Sequence, residues 1–158
     1  MNTEVELKYL VLAQDVEAKI TSLLNAEHLS FEKHTKTLTN CYFDTADLAL
    51  RQKDYGLRVR GCNNQLEQTI KTAGVVVGGL HQRPEYNVNI DSTFPDLSLF
   101  PTDIWSKKDN VAQLQQQLIA LFDTNFTRVV WLVTFQESTI ELAFDQGTIT
   151  SNGRSADI

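Results

Sequence analysis

The feature that most constrains the fold of this chain is an alternation of charged and apolar residues with a period of two. It begins at the N-terminus, where Glu4, Glu6 and Lys8 alternate with apolar residues. Successive side chains of an extended strand point to opposite faces, so this segment predicts a strand with one charged and one apolar face. A solvated outer face is the ordinary explanation for one such strand. A strand that lines a polar cavity is the alternative, and the rest of the chain must decide between them.

The alternation recurs in later segments that are also predicted to be strands. Residues 16–24 and 111–122 place apolar residues at helical spacing, and these amphipathic helices need an apolar sheet surface to cover. The order of elements, with a strand, a helix, several strands, a helix and further strands, predicts an α+β fold.

Charged residues share a parity within each later segment: Arg58 with Arg60, Glu67 with Lys71, Arg83 with Glu85, and Glu141 with Asp145.

A twisted sheet of many strands tends to curl and close, and with the helices outside it would enclose the charged faces in a polar tunnel. Charges removed from bulk water are costly unless they are paired or bind a ligand. A chain whose solvated faces merely alternate is the alternative to the tunnel. For Arg128, whose strand is otherwise apolar on both faces, the alternative is an exposed salt bridge. The predicted lining comprises Lys8, Arg58, Arg60, Lys71, Arg83 and Arg128, beside Glu4, Glu6, Glu85, Glu141 and Asp145.

The residue types in this predicted lining indicate the class of ligand. Guanidinium and ammonium groups suit phosphate oxygens, and carboxylates without histidine or cysteine suit a hard cation such as Mg²⁺ or Mn²⁺. The sequence therefore predicts a site for a metal-bound polyphosphate. A module that binds polyphosphate or a nucleotide without turnover has the same basic lining and stays open as an alternative.

Composition excludes several other classes of protein. The 158 residues suit one domain, and the net charge of -6 argues against a general nucleic-acid binder. No apolar run is long enough to span a bilayer and no secretory segment is visible, so a cytoplasmic protein without membrane contact is expected. Cys41 and Cys62 are interpreted as free thiols. The segment GVVVGG lacks the lysine of a phosphate-binding loop and is interpreted as a flexible connection, and residues 92–108 as a loop insertion.

Six motifs follow one another along almost the entire chain: ExExK at residues 4–8, NCYFDT, GLRVR, QTIK, GGLHQRPEYN and ELAFDQG. Together they resemble the CYTH domains, also called triphosphate tunnel metalloenzymes. The segment GGLHQRPEYN is particularly similar to the bacterial inorganic triphosphatases of that superfamily. The resemblance implies an antiparallel eight-stranded β-barrel with helices packed outside. Class IV adenylate cyclases and thiamine triphosphatases belong to the same superfamily, and these two activities are the alternatives for this chain.

The resemblance also implies roles for individual residues. The implied reaction is hydrolysis of inorganic triphosphate to pyrophosphate and phosphate, with Mg²⁺ or Mn²⁺ as cofactor and no protein nucleophile. Glu4 and Glu6 would bind the metal with help from Glu141 and Asp145, and Glu85 would orient a water or an arginine. The implied catalytic residues are Glu4, Glu6, Lys8 and Glu85, and the implied triphosphate-binding residues are Lys8, Arg58, Arg60, Lys71, Arg83 and Arg128.

One departure from the family pattern concerns the end of the chain. Family members usually carry a further acidic strand soon after the FDQG segment, whereas this sequence continues only to GRSADI. We therefore expect residues 1–158 to form a CYTH domain that lacks its last acidic strand, with an incomplete tunnel. Such a sheet has open edges that favour self-association. Bacterial relatives of this type often continue into a helical CHAD domain, which is a further expectation for the natural protein.

Overall fold

The computed structural model describes all of residues 1–158 and contains nine β-strands and three α-helices. The helices are α1 (Val16–Ala26), α2 (Ala49–Gln52) and α3 (Val111–Gln117). Two short 3-10 turns lie at Leu97–Leu99 and Thr102–Ile104. The strands are β1 (Asn2–Glu6), β2 (Ser30–Asp44), β3 (Gly56–Cys62), β4 (Gln65–Lys71), β5 (Val75–Val77), β6 (Leu80–Ile90), β7 (Ile119–Phe135), β8 (Ser138–Ser151) and β9 (Arg154–Asp157).

All nine strands belong to one antiparallel sheet. Its order is β1-β6-β4-β3-β2-β7-β8-β9, and the short β5 pairs with β6. β1 and β9 lie at the two ends of this order and do not pair with each other, so the curled sheet is an open half-barrel. The predicted antiparallel fold is confirmed, and the helices pack on one face of the sheet.

The larger core lies on the apolar face of β2, β3, β4 and β6. Leu57, Val59 and Ile70 are buried there against Leu97 and Phe100, which come from the segment between β6 and α3. The segment is an irregular connection, as predicted, but it contains two 3-10 turns and also supplies buried side chains that cover the sheet. The scarcity of regular periodicity within residues 92–108 hid this contribution, since 3-10 turns repeat too briefly to leave a pattern.

The smaller core forms where α1 covers β7 on the same apolar face. Leu24 packs against Val129, Trp131 and Val133, and the indole of Trp131 is completely buried. The Trp131 Nε1–H donates a hydrogen bond to Thr21 Oγ1 at 3.1 Å, which satisfies its polar atom. Both helical layers therefore lie on one side of the sheet and leave the opposite face uncovered by helices.

Some local boundaries differ from the sequence predictions. Helix α3 ends at Gln117 rather than near residue 122, because Leu118 adopts an extended conformation and begins the approach to β7. The residues after it had matched a helical period by coincidence. The GVVVGG segment forms β5 and a tight turn, in which Gly78 and Gly79 adopt positive φ angles of 58° and 83°. None of the helices is long and apolar enough to cross a membrane.

Candidate functional site

The register of the sheet places the charged residues of different strands on one face. Residues directly opposite in an antiparallel pair point to the same side. Glu4 lies opposite Arg83, which links β1 to β6, and Lys71 lies opposite Glu85. The same register continues across the sheet from β4 to β8, and the side that these residues share is named the charged face. Its charged residues are Glu4, Glu6, Lys36, Arg58, Arg60, Glu67, Lys71, Arg83, Glu85, Arg128, Glu141 and Asp145.

The charged face is concave, and helices α1, α2 and α3 lie on the other side. The negative charge of Glu6 on β1 helps to raise the pKa of Arg128 on β7, although four strands lie between β1 and β7 in the sheet order. Curling of the sheet brings them near each other. Lys8 lies just beyond the end of β1, with its Nζ 3.5 Å from Glu6 Oε1. The structure thus brings the predicted lining residues to one surface, and it adds Lys36 and Glu67 to it.

Lys71 forms an ion-pair cluster with two carboxylates. Its ammonium donates a hydrogen bond to Glu4 and lies 3.9 Å from Glu85 Oε2. Burial opposes the ionisation of Glu4, but the hydrogen bond and charge of Lys71, with the charges of Arg58 and Lys8, hold the pKa of Glu4 below its ordinary value. Glu4 is therefore a carboxylate at neutral pH and serves as the counter-ion of Lys71.

Arg128 is paired on the charged face in the same way. Its Nε and Nη2 donate to the two carboxylate oxygens of Asp145 at 2.6 and 2.7 Å, which is a bidentate arrangement. The hydrogen bond to Asp145 raises the pKa of Arg128, against the effect of its burial. The salt-bridge alternative considered for Arg128 is thus present, although the guanidinium is half-buried on the charged face rather than on an outer surface.

Arg83 is held by backbone carbonyls. Its Nε donates to the carbonyl of Thr72 at 3.1 Å and its Nη2 donates to that of Asp54 at 2.6 Å. The carboxylate of Asp54 lies 3.9 Å away and is largely exposed. Arg83 is therefore fixed in position mainly by neutral acceptors.

Arg58 and Arg60 differ from these cations, because neither forms an ion pair with a carboxylate. Arg60 donates through Nε to Asn40 Oδ1 at 2.7 Å. Burial, together with the charges of Arg58 and Arg128, lowers the pKa of Arg60 to about 10. The Nε of Arg58 is buried and has no hydrogen-bond partner at all. Neither guanidinium therefore has a carboxylate within ion-pair distance, although the charge of Glu67, opposite Arg60, acts on Arg60 from farther away. A bound anion would supply an acceptor for the Nε of Arg58 and a direct counter-ion for both arginines.

The four predicted metal ligands lie on the charged face but do not form a metal centre. Glu4 and Glu6 come from β1, and Glu141 and Asp145 come from β8. No group of three or more histidine, cysteine, aspartate or glutamate side chains is placed to hold a metal ion. The carboxylates suit a hard divalent ion in donor type. Three of them act as counter-ions in this arrangement, Glu4 for Lys71, Glu6 for Lys8 and Asp145 for Arg128.

Sequence reasoning missed three polar residues of this face. Lys36 lies opposite Arg128 and has the same parity as Glu32 and His34 within β2, so the parity test applied to that segment would have found it. Asn40 is buried and accepts the hydrogen bond from Arg60, but an uncharged residue leaves no mark in a charge pattern. Glu67 shares the parity of Lys71 but was not included in the predicted lining, and it lies opposite Arg60.

Comparisons with known proteins agree with this architecture. A family model described as the CYTH domain matches residues 2–153. An inorganic triphosphatase of Haemophilus influenzae is 37% identical over 155 residues, covering 94% of this chain and 41% of that protein. The chain thus spans about two fifths of the length of the curated relative it matches.

Two solved structures share the fold. A Hippeastrum protein, described as an adenylyl cyclase candidate with a dominant triphosphatase activity, matches with a TM-score of 0.57 at 15% identity. The match covers 97% of this chain and 74% of the Hippeastrum chain. A Vibrio parahaemolyticus protein, described as a candidate adenylate cyclase, matches with a TM-score of 0.51 at 12% identity. This match covers 96% of this chain and 70% of the Vibrio chain. At these identities the likeness concerns the fold alone.

Proposed function

The chain belongs to the CYTH domain family, and on that premise we propose that it hydrolyses inorganic triphosphate to pyrophosphate and phosphate with Mg²⁺ or Mn²⁺. The observation that carries this proposal is the pair of guanidiniums of Arg58 and Arg60, which lie on the concave charged face without a carboxylate in contact with either. The name of the Haemophilus relative, an inorganic triphosphatase, supports the same reaction.

Binding of the triphosphate rests on the cations of the charged face. Arg58 and Arg60 offer hydrogen-bond donors that no carboxylate contacts, and Arg83 is fixed in place by carbonyls. Lys8, Lys71 and Arg128 complete the proposed phosphate-binding set, and in the free protein they are paired with carboxylates. Preorganised cations of this kind stabilise the charge that develops on transferring phosphoryl oxygens.

Hydrolysis on this face needs an aligned substrate and a positioned water rather than a protein nucleophile. Glu85 is the proposed orienting group, because Asn87 Nδ2 donates to its Oε1 at 3.1 Å while Lys71 lies near its other oxygen. These two contacts fix the carboxylate on the charged face beside the proposed phosphate-binding cations. We therefore propose that Glu85 orients a water or an arginine.

The metal part of the proposal assigns Glu4 and Glu6 as ligands, with Glu141 and Asp145 contributing from β8. A divalent ion bound there would neutralise phosphate oxygens and polarise the phosphoryl group. Because Glu4 and Glu6 are engaged by Lys71 and Lys8, binding of the ion requires these pairs to open. Manganese titration followed by electron paramagnetic resonance measures this step without substrate, and Glu4→Gln and Glu6→Gln are expected to weaken it.

The experiment that tests the function is phosphate release from tripolyphosphate, ATP and thiamine triphosphate, each with Mg²⁺, with Mn²⁺ and with EDTA. Tripolyphosphate is expected to be the best substrate, and Glu4→Gln or Glu6→Gln is expected to abolish turnover. Glu17→Gln is the matched control, since Glu17 pairs with Lys33 on the helical side. Much faster turnover of ATP, or its conversion to cyclic AMP, would assign the chain to another activity of the superfamily.

A binding module without turnover is the second candidate, and the absence of a grouped set of metal ligands favours it. Calorimetric titration with tripolyphosphate in EDTA separates the two candidates. A binder retains its affinity without a divalent ion and releases no phosphate with one.

The unpaired outer edges of β1 and β9 also lead us to propose self-association, which sedimentation across a range of protein concentrations measures.

A further inference from the structure

Asn40 lies on β2 directly opposite Arg60 and is almost completely buried, with 2% of its surface exposed. Its Oδ1 accepts the hydrogen bond from Arg60 Nε at 2.7 Å. Its Nδ2 donates to Thr124 Oγ1 at 3.1 Å and lies 3.5 Å from the carbonyl oxygen of the same residue. The amide therefore spans β3 and β7 from the strand between them.

The orientation of the Asn40 amide follows from its two neighbours. The carbonyl of Thr124 can only accept a hydrogen bond and the guanidinium of Arg60 can only donate, so the NH₂ group faces Thr124 and the oxygen faces Arg60. With Nε held in this way, the plane of the guanidinium is fixed and its two terminal nitrogens are left for another acceptor. Arg58, the neighbouring arginine on β3, has no such acceptor for its own Nε.

Asn40 also differs in charge from the side chains that hold Arg128 and Lys71. Asp145 holds Arg128 and Glu4 holds Lys71, so each of those charges is balanced by a carboxylate. Asn40 holds Arg60 with a neutral oxygen. Arg60 is thereby positioned without losing its charge, which is what binding of a highly charged anion requires.

We propose that Asn40 is a positioning residue that orients the guanidinium of Arg60 toward bound polyphosphate without placing a carboxylate in contact with it. The inference rests on the proposed function of the charged face, and it adds a residue that touches the arginine rather than the substrate. Its central consequence is that a carboxylate at position 40 holds Arg60 equally well and yet impairs binding of the anion.

The test compares Asn40→Asp with Asn40→Ala in the complete chain. Tripolyphosphate affinity is measured by calorimetry in EDTA, and thermal stability is measured on the same samples. Asn40→Ala removes the neutral acceptor of Arg60 Nε and is expected to weaken binding by about 2- to 10-fold. Asn40→Asp is expected to weaken it more, by about 10- to 100-fold, because the carboxylate pairs with Arg60 and competes with phosphate.

Stability is expected to show the opposite order. Asn40→Asp keeps an acceptor for Arg60 Nε and is expected to melt no lower than Asn40→Ala. If the role of Asn40 were merely structural, affinity would follow stability, and Asn40→Asp would bind at least as well as Asn40→Ala. That result overturns the inference. If Asn40→Ala does not fold, Asn40→Ser, whose side chain is too short to keep both contacts, takes its place.

A second measurement is independent of any ligand. The Nε–H signal of Arg60 in nitrogen-edited magnetic resonance spectra, assigned with Arg60→Lys, is expected to be protected from solvent exchange in the wild type and in Asn40→Asp, and to exchange faster in Asn40→Ala. Equal exchange in all three proteins would overturn the positioning role. A wild type that neither binds nor hydrolyses tripolyphosphate would reject the proposed function and the proposed effect on affinity, while the exchange data would still report whether Asn40 holds Arg60.

Discussion

Replacement of Arg58 by methionine is expected to separate the stability of this fold from its capacity to bind polyphosphate. The Nε of Arg58 is buried and has no acceptor, and its neighbour Arg60 carries the same charge. Leaving a buried polar group unsatisfied costs about 1 to 3 kcal/mol. Methionine has a flexible stem of similar length that can fill the same space. We therefore expect the free energy of unfolding to be unchanged or to rise by about 1 kcal/mol.

The same substitution is expected to weaken the binding of tripolyphosphate strongly. A hydrogen bond to a charged group contributes about 1.5 to 3 kcal/mol, which corresponds to about a 10- to 100-fold loss of affinity. Urea denaturation measures the first quantity and calorimetry in EDTA measures the second. Arg51→Met, which removes the same charge from α2 on the helical side of the sheet, is the control and should leave the affinity near that of the wild type.

Arg128→Met provides a contrast within the charged face. It leaves Asp145 without its bidentate partner, so both stability and affinity are expected to fall. The reasoning about Arg58 would be refuted if Arg58→Met lowered the unfolding free energy by more than about 1 kcal/mol while the affinity stayed at the wild-type value. The guanidinium would then support the fold rather than await an anion.

The remaining predictions concern acid stability, close packing and the missed lysine. The pKa of Glu4 is lower in the folded chain than its ordinary value of 4.5, so near and below that pH the folded chain binds fewer protons than the unfolded chain. The stabilisation that Glu4 gains from Lys71 is therefore complete above pH 4.5. It is lost as the pH falls through the folded pKa. Lys71→Met should therefore flatten the pH dependence of unfolding below pH 4.5, as measured by urea titrations at several acid pH values. Gly147→Ala should lower the unfolding free energy by about 1 to 3 kcal/mol in the same assay, because its Cβ would lie 2.1 Å from a backbone oxygen of β7; wild-type stability would contradict this contact. Lys36→Met should reduce tripolyphosphate affinity and the salt dependence of binding, whereas Lys33→Met on the helical side should not; equal effects of the two would remove Lys36 from the site.

Much of the charged face could be predicted from the sequence, because strand parity is a local property of the backbone. Alternation within each strand assigned Arg58 with Arg60, and Glu141 with Asp145, to common faces without any knowledge of the neighbouring strands. The pairing of Arg128 with Asp145 was also within reach, since a tight turn at residues 136–138 fixes the register of that hairpin. The β3–β4 hairpin has a local signal of the same kind, because Asn63 and Asn64 suit the positive φ angles that its two-residue turn requires.

The partners of Lys71 and Arg60, and the lack of one for the Nε of Arg58, were decided only by the tertiary structure. Lys71 and Glu4 are separated by 67 residues, and their contact depends on β6 lying between β1 and β4. The unpartnered Nε of Arg58 and the neutral acceptor of Arg60 likewise depend on which strands lie beside β3. A period of two within a strand assigns a side chain to a face, but the neighbours it meets there are set by strand order and by the packing of α1 and α3, which together bury surface drawn from distant parts of the chain.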